Sequence, residues 1–141
     1  MSQPVHAGLI AHASPGGWRG VLIEGPSGAG KSDLALRALD QGFRLVADDR
    51  VSLWASGGVL FGRAPDALFG LIEVRGQGVR PAAALRLARV DLIVECVNAE
   101  EVERLPDPQS AVREGVSVPC MRLWPFEPST PAKLRRALSH L

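Results

Sequence analysis

Apolar positions along this chain gather in short runs broken by glycine, proline and polar clusters, a rhythm of strands more than of helices. Residues 5–13 alternate loosely and predict a first strand, closed by the turn Ser14-Pro15-Gly16-Gly17. Residues 18–24 predict a second strand, through the apolar run Val21-Leu22-Ile23. Leu34, Ala35, Ala38 and Leu39 then recur at helical spacing. They predict a helix that ends near Gln41, with Gly42 as its left-handed stop. Residues 43–47 read as a short strand with Asp48 and Asp49 at its C-terminal end. Residues 51–54 and 59–61 flank Ser56-Gly57-Gly58 as a hairpin. Residues 71–74 form another short strand, which runs into the flexible loop Arg75-Gly76-Gln77-Gly78. Residues 90–97 are the strongest candidate for a buried strand. Pro106 and Pro108 make residues 105–109 a loop. Residues 116–124 give a late strand or extended segment. Thr130 is expected to cap a last helix with Pro131 at its first position and Leu134, Ala137, Leu138 and Leu141 as its apolar stripe. Strands outnumber helices and a hairpin interrupts their alternation. The expected fold is therefore α/β, a mixed sheet with flanking helices rather than a regular doubly wound one.

Composition narrows the class. The 141 residues fit one domain, residues 1–141, and 46% hydrophobic against 22% charged residues allow a real core. A formal net charge of +1 implies no broad basic surface for nucleic acid. No run approaches the roughly 20 apolar residues of a membrane span. Met1-Ser2-Gln3-Pro4 lacks the basic and apolar blocks of a secretory signal. Cys96 and Cys120 have no metal-like spacing and read as reduced core thiols of a cytoplasmic protein, with a disulfide between them as the alternative.

The chemistry starts at residues 25–32, Gly25-Pro26-Ser27-Gly28-Ala29-Gly30-Lys31-Ser32. They match the phosphate-loop (P-loop) pattern G-x-x-x-x-G-K-[ST] at every fixed position. Glycines let successive backbone N–H groups converge on one anion. Lys31 brings a positive charge to the outer phosphates, and Ser32 offers a hydroxyl to Mg²⁺. A predicted strand precedes the loop and a predicted helix follows it, which is the context the motif needs.

Asp48 and Asp49 come next, because open α/β sheets bind ligands beyond the carboxyl ends of their strands. If their strand neighbours the one that feeds the loop, both carboxylates face the terminal phosphate. One could bind the metal and the other accept a proton from an attacking hydroxyl. Glu73 sits among apolar neighbours and needs a cation, either Mg²⁺ or Arg75. Arg63, Arg75, Arg80, Arg104 and Arg122 are each able to clamp phosphate, and spacing does not choose among them. His6 and His12 read as structural residues of the first strand region, and His140 as an exposed terminal residue.

Four segments occur in a telling order: Val5-His6-Ala7-Gly8, the glycine loop, Leu45-Val46-Ala47-Asp48-Asp49, and Ile72-Glu73-Val74-Arg75-Gly76-Gln77-Gly78-Val79. Together they resemble the catalytic domain of bacterial HPr kinase/phosphorylase. The loop is widely shared, whereas the Ala-Asp-Asp and Glu-Val-Arg-Gly-x-Gly segments are specific. The resemblance implies a protein-serine kinase that uses ATP and Mg²⁺ to phosphorylate HPr, a carrier of the sugar phosphotransferase system. Many members also remove that phosphate with inorganic phosphate, releasing pyrophosphate. By position, Lys31 contacts the nucleotide phosphates, and Ser32 and Glu73 hold Mg²⁺. Asp49 exchanges the serine proton, with Asp48 beside it in the metal and phosphate network. His6 matches the family's active-site histidine, which overrides its structural reading. Arg104, in Val102-Glu103-Arg104-Leu105, resembles the catalytic arginine.

Full-length members carry an N-terminal domain, while here the catalytic part begins almost at Met1, as in short proteobacterial forms. The resemblance then points to an HPr-like carrier of a nitrogen-regulatory phosphotransferase system, and to a hexamer. Trp124, Phe126 and the last helix would serve its contacts or a plain core. The family's late Pro-Gly-Arg-Asn type segment, tied to phosphorolysis, is replaced here by residues 118–127. Kinase activity is thus expected ahead of phosphorylase activity. Two other classes stay open on the residues alone: a phosphate-loop kinase of small molecules, and a non-catalytic ATP sensor.

Overall fold

The computed structural model describes residues 3–141. Its strands are β1 (Gly8–Ser14), β2 (Gly17–Glu24), β3 (Phe43–Ala47), β4 (Ser52–Ser56), β5 (Val59–Arg63), β6 (Leu71–Val74), β7 (Gly78–Pro81), β8 (Ala88–Cys96), β9 (Gln109–Arg113) and β10 (Val116–Leu123). The helices are α1 (Lys31–Leu39) and α2 (Thr130–Ser139), with single 3₁₀ turns at Asp66–Leu68 and Ala99–Glu101. The main sheet runs β3-β1-β2-β8-β10-β9, and the β4–β5 hairpin joins it where β5 pairs with β8. β6 and β7 form a separate two-stranded ribbon.

Strict alternation along the central strands sorts their side chains between two faces. Ile10, Val21, Ile23, Leu45, Leu92 and Val94 pack with Leu34, Ala35 and Ala38 of α1 and Leu134 and Leu138 of α2. Their neighbours Leu9, Ala11, Leu22, Val46 and Ile93 pack on the opposite face with Leu53 and Leu60 of the β4–β5 hairpin. Both helices therefore cover one face, and the hairpin covers the other. Each fully buried Leu or Ile contributes about 1.5–3 kcal/mol of transfer free energy.

β2 and β8 are parallel, and so are β8 and β10, which sets three carboxyl ends along one edge. β1 lies antiparallel between β2 and β3. The strand that precedes Asp48 is thus one place removed from the strand that feeds the glycine loop, so the condition of direct neighbours is not met. Two reversals by β1 restore the direction, so the ends of β2 and β3 still share that edge. Arg113 of β9 grips Glu24, the last residue of β2, through Nε at 3.0 Å and a second guanidinium nitrogen at 2.7 Å. This paired contact fixes the outer hairpin to the base of the loop.

Three elements differ from expectation. Gly78 and Gln109, expected as the last residues of loops, open the strands Gly78–Pro81 and Gln109–Arg113, which the sequence did not predict, and most of their side chains are exposed. Hairpin pairing holds them, and burial leaves no alternation to read. α2 starts one residue early: Ser129 is its N-cap, and the Thr130 hydroxyl bonds the carbonyl of Trp124 at 2.7 Å instead of capping. Leu141 stays 48% exposed and leaves the expected stripe.

Candidate active site

The glycine loop leaves β2 and enters α1 with Gly30 as N-cap at φ 105. No side chain caps this helix, so its first N–H groups point into the loop without an intrahelical partner. Such an end favours an anion. Gly30 also permits a close approach: a Cβ there would stand 2.7 Å from the Phe126 ring. The turn that carries Phe126 is held by Arg37 of α1, whose guanidinium donates to the carbonyls of Pro125 and Glu127. Lys31 is only 8% exposed, and its ammonium is parked on its own loop, 2.7 Å from the Gly25 carbonyl and 3.0 Å from that of Pro26. Beneath the loop, Cys96 is buried. Burial pushes its thiol up to about 11, against the opposing pull of Lys31, so it packs as a neutral apolar group near pH 7.

The two aspartates diverge. Asp48 is buried and its oxygens are committed: Oδ1 accepts from the Ser32 hydroxyl at 2.7 Å, and Oδ2 from the Glu73 backbone N–H at 2.9 Å. It thereby ties the helix start to β6. Asp49 follows with φ 71, and the Arg50 N–H reaches back to the Asp48 carbonyl at 2.8 Å. This is a γ-turn centred on a left-handed aspartate, a strained arrangement. It turns the Asp49 carboxylate outward, where the His6 ring nitrogen Nε2 lies 3.0 Å away. His6 reaches it because Val5 and Val51 exchange two backbone hydrogen bonds, at 2.8 and 2.9 Å.

These groups line one cleft of about 200 Å³: His6, Lys31, Ser32, Asp48, Asp49, Glu73 and Arg75, with Ser27, Gly28, Gly30 and Phe126 at its rim. Pro26 and Ala29 of the loop face a second hollow on its other side, and Gly25 packs against Cys96 and Ala29 of that hollow. Glu73 is exposed and opens on the cleft, so its neighbours' burial does not extend to it. Arg104 is not brought to the cleft. It lies exposed after the 3₁₀ turn that follows β8, on the far side of β2 from Asp48 and Asp49. Arg122 is engaged elsewhere, 3.1 Å from Glu101 and 3.8 Å from Glu95. His12 packs edge-on against Phe43 in a structural role. Cys96 and Cys120 are free thiols.

Phe126 escaped the sequence reading as a site residue. Its one local signal is an aromatic in a proline-bounded polar turn, and only Arg37 and Gly30 place it at the loop. Among the described residues, no three His, Cys, Asp or Glu side chains converge as a self-sufficient metal site. The cleft does offer the Ser32 hydroxyl with the Asp48 and Glu73 carboxylates, a hard oxygen set. Mg²⁺ commonly takes one or two carboxylates and completes its shell with water and phosphate, so these residues fit it. No helix among the described residues is long and apolar enough to cross a membrane, which leaves β-barrels unaddressed.

Comparison with known proteins gives a consistent family. The family model of the HPr Serine kinase C-terminal domain matches residues 16–124. An HPr kinase/phosphorylase of Streptococcus thermophilus is 37% identical over 116 residues, which cover 74% of this chain and 38% of that protein. One from Clostridium perfringens is 48% identical over 66 residues, covering 47% of this chain and 22% of that protein. The chain thus spans well under half the length of these curated relatives. The solved structure of the Hpr(Ser) kinase/phosphatase from Coxiella burnetii superposes with a TM-score of 0.82 at 26% identity, covering 99% of this chain and 90% of that one. The mixed sheet, the glycine loop on its edge and these matches lead to one conclusion: the chain belongs to the family of HPr serine kinase C-terminal domains.

Proposed function

We propose that this chain, as one catalytic domain, is an ATP- and Mg²⁺-dependent protein-serine kinase whose acceptor is HPr or an HPr-like carrier of a phosphotransferase system. One observation carries the reading: groups from separate segments of the chain converge on one cleft beside the glycine loop. A phosphate loop alone would suit any nucleotide binder. An outward carboxylate with a histidine 3.0 Å away adds a proton acceptor, which binding does not need and transfer to a hydroxyl does.

The phosphates of ATP rest against the backbone of residues 25–32 and the start of α1. Lys31 turns from the carbonyls it now holds to the outer phosphates, and Arg75 adds positive charge from β6–β7. Ser32 and Glu73 hold Mg²⁺, with Asp48 fixing the Ser32 hydroxyl. When bound there, Mg²⁺ would supply charge neutralisation for the phosphoryl group in transfer. Asp49 takes the proton of the incoming serine, and His6 orients that carboxylate. The cleft is open enough for a protein loop to reach Asp49, whose side chain is 59% exposed. Arg104's part in the transfer rests on the resemblance alone. The two free thiols fit a cytoplasmic setting.

The test is incubation with γ-labelled ATP, Mg²⁺ and purified HPr-like carriers, with Lys31→Ala as control. A labelled serine on a carrier, absent with Lys31→Ala, is the expected result. ATP binding without transfer to any carrier would contradict it and favour a nucleotide sensor or a metabolite kinase.

A further inference from the structure

We propose that the hollow on the outer side of the glycine loop, at the carboxyl ends of β8 and β10, receives the base of the nucleotide, with Trp124 and Phe126 as its stacking surfaces. The inference rests on the reading of the neighbouring cleft as the phosphate site.

The hollow measures about 420 Å³ and is bounded by residues 26–29 of the loop, the end of β8 and the Trp124–Phe126 turn. That volume falls within the roughly 300–1,000 Å³ of small-molecule sites. Ser27, Gly28 and Phe126 line both this hollow and the cleft, so a ligand lying across the loop enters both. The parallel strands β2, β8 and β10 end together here, on the edge where open α/β sheets hold ligands.

The two sides differ in their cations. The cleft holds Lys31, Arg75 and His6 together with Asp33, Asp48, Asp49 and Glu73, whereas among the described residues no cationic side chain lines the hollow. The charged groups of the hollow are Glu95 and Glu101, both paired with Arg122. The loop N–H groups and Lys31 hold a triphosphate on the cleft side, and its uncharged base is left for the other. Three polar side chains of the hollow, Glu95, Asn98 and Glu101, are already engaged. The Asn98 side chain and the Glu101 carboxylate cap each other's backbone N–H groups. Stacking is then the main term for a base. Trp124 and Phe126 meet edge to face, with centroids 6.5 Å apart at 70°, so they are not stacked on each other. Phe126 is 50% exposed, and the backbone of the turn is anchored by Thr130 on the Trp124 carbonyl and by Arg37 on the carbonyls of Pro125 and Glu127. The turn that carries both rings is therefore in place before a ligand arrives.

Calorimetric titration of the whole protein with Mg-ATP and with Mg-tripolyphosphate separates base from phosphates. Trp124→Leu removes the flat ring and keeps an apolar side chain, while Trp124→Phe keeps a ring. Trp124→Leu is expected to weaken ATP roughly ten-fold, the scale of one base–aromatic stack, and to leave tripolyphosphate unchanged. Trp124→Phe should recover most of the loss. In the wild-type protein ATP, and not tripolyphosphate, should quench tryptophan fluorescence, a readout that needs no variant. Unchanged ATP affinity in Trp124→Leu, an equal loss for both ligands, or equal quenching by both would overturn the subsite and leave the phosphate site standing. A wild-type protein that binds neither ligand would instead overturn the phosphate site, and the subsite with it.

Discussion

Asp48 and Asp49 are adjacent in the chain and face different surroundings because one backbone angle separates them. The φ of 71 at Asp49 sends its carboxylate to His6, while Asp48 stays buried against Ser32 and the Glu73 N–H. Strain of this kind persists where surrounding bonds over-determine it, here the Val5–Val51 exchange and the two Asp48 hydrogen bonds. Glu73 is exposed at the same cleft, free of the backbone duties that occupy Asp48. Glu73→Gln should therefore raise the Mg²⁺ concentration for half-maximal transfer by about ten-fold or more. An unchanged Mg²⁺ titration would remove Glu73 from the metal site. Gly30→Ala should be damaging in a second way. Its Cβ would meet the Phe126 ring at 2.7 Å in a backbone with φ 105. A loss of about 1–3 kcal/mol in unfolding free energy is expected, read by denaturant titration. At this scale the loop and the aspartate pair were legible in the sequence as residue types at fixed spacing, whereas Glu73, read there among buried neighbours, opens exposed on the cleft. The different surroundings of the two aspartates were not legible, because they depend on a turn angle and on partners 16 and 25 positions away.

Elements were legible where they are buried. β3 and β6 appear with the expected bounds, and β8 is the long apolar strand anticipated. β7 and β9 were not, since hairpin partners hold strands whose side chains face solvent. The pairing of β2 with β8 shows how one small residue sets an interface between elements. The register shifts between Gly20 and Val21, and the Gly20 N–H turns to Asp91 Oδ2 at 3.3 Å. A Cβ on Gly20 would stand 2.2 Å from the Arg89 carbonyl oxygen, a backbone atom that cannot swing aside. Gly20→Ala should thus push β2 from β8 and lower the melting temperature, with a cost of about 1–3 kcal/mol or more. A variant that melts like the parent would show that the strands yield at no cost. The loop grows from β2, so ATP affinity should fall along with stability.

At the scale of the whole molecule, the site exists because β1 reverses the chain twice. It places the ends of β2 and β3 on one edge, and α1 and α2 press that sheet from a single face. Leu134 of α2 is fully buried in this layer. Leu134→Ala should cost about 2–5 kcal/mol of unfolding free energy, and a change under 1 kcal/mol would show that α2 is not part of the core. The class of fold was legible from the mixed rhythm of strands and helices. The position of β1 between the two functional strands was not, because pairing between distant strands leaves no mark on local periodicity. The proposed transfer turns on Asp49, the one carboxylate of the pair turned toward solvent. The most direct measurement is single-turnover phosphorylation of an HPr-like carrier by the parent protein and Asp49→Asn, at saturating ATP and with ATP affinity measured in parallel. The expected result is phosphoserine from the parent, and a transfer rate at least about 100-fold lower in the variant with ATP affinity intact. Equal rates in the two proteins, or no serine phosphorylated by the parent, would contradict the account.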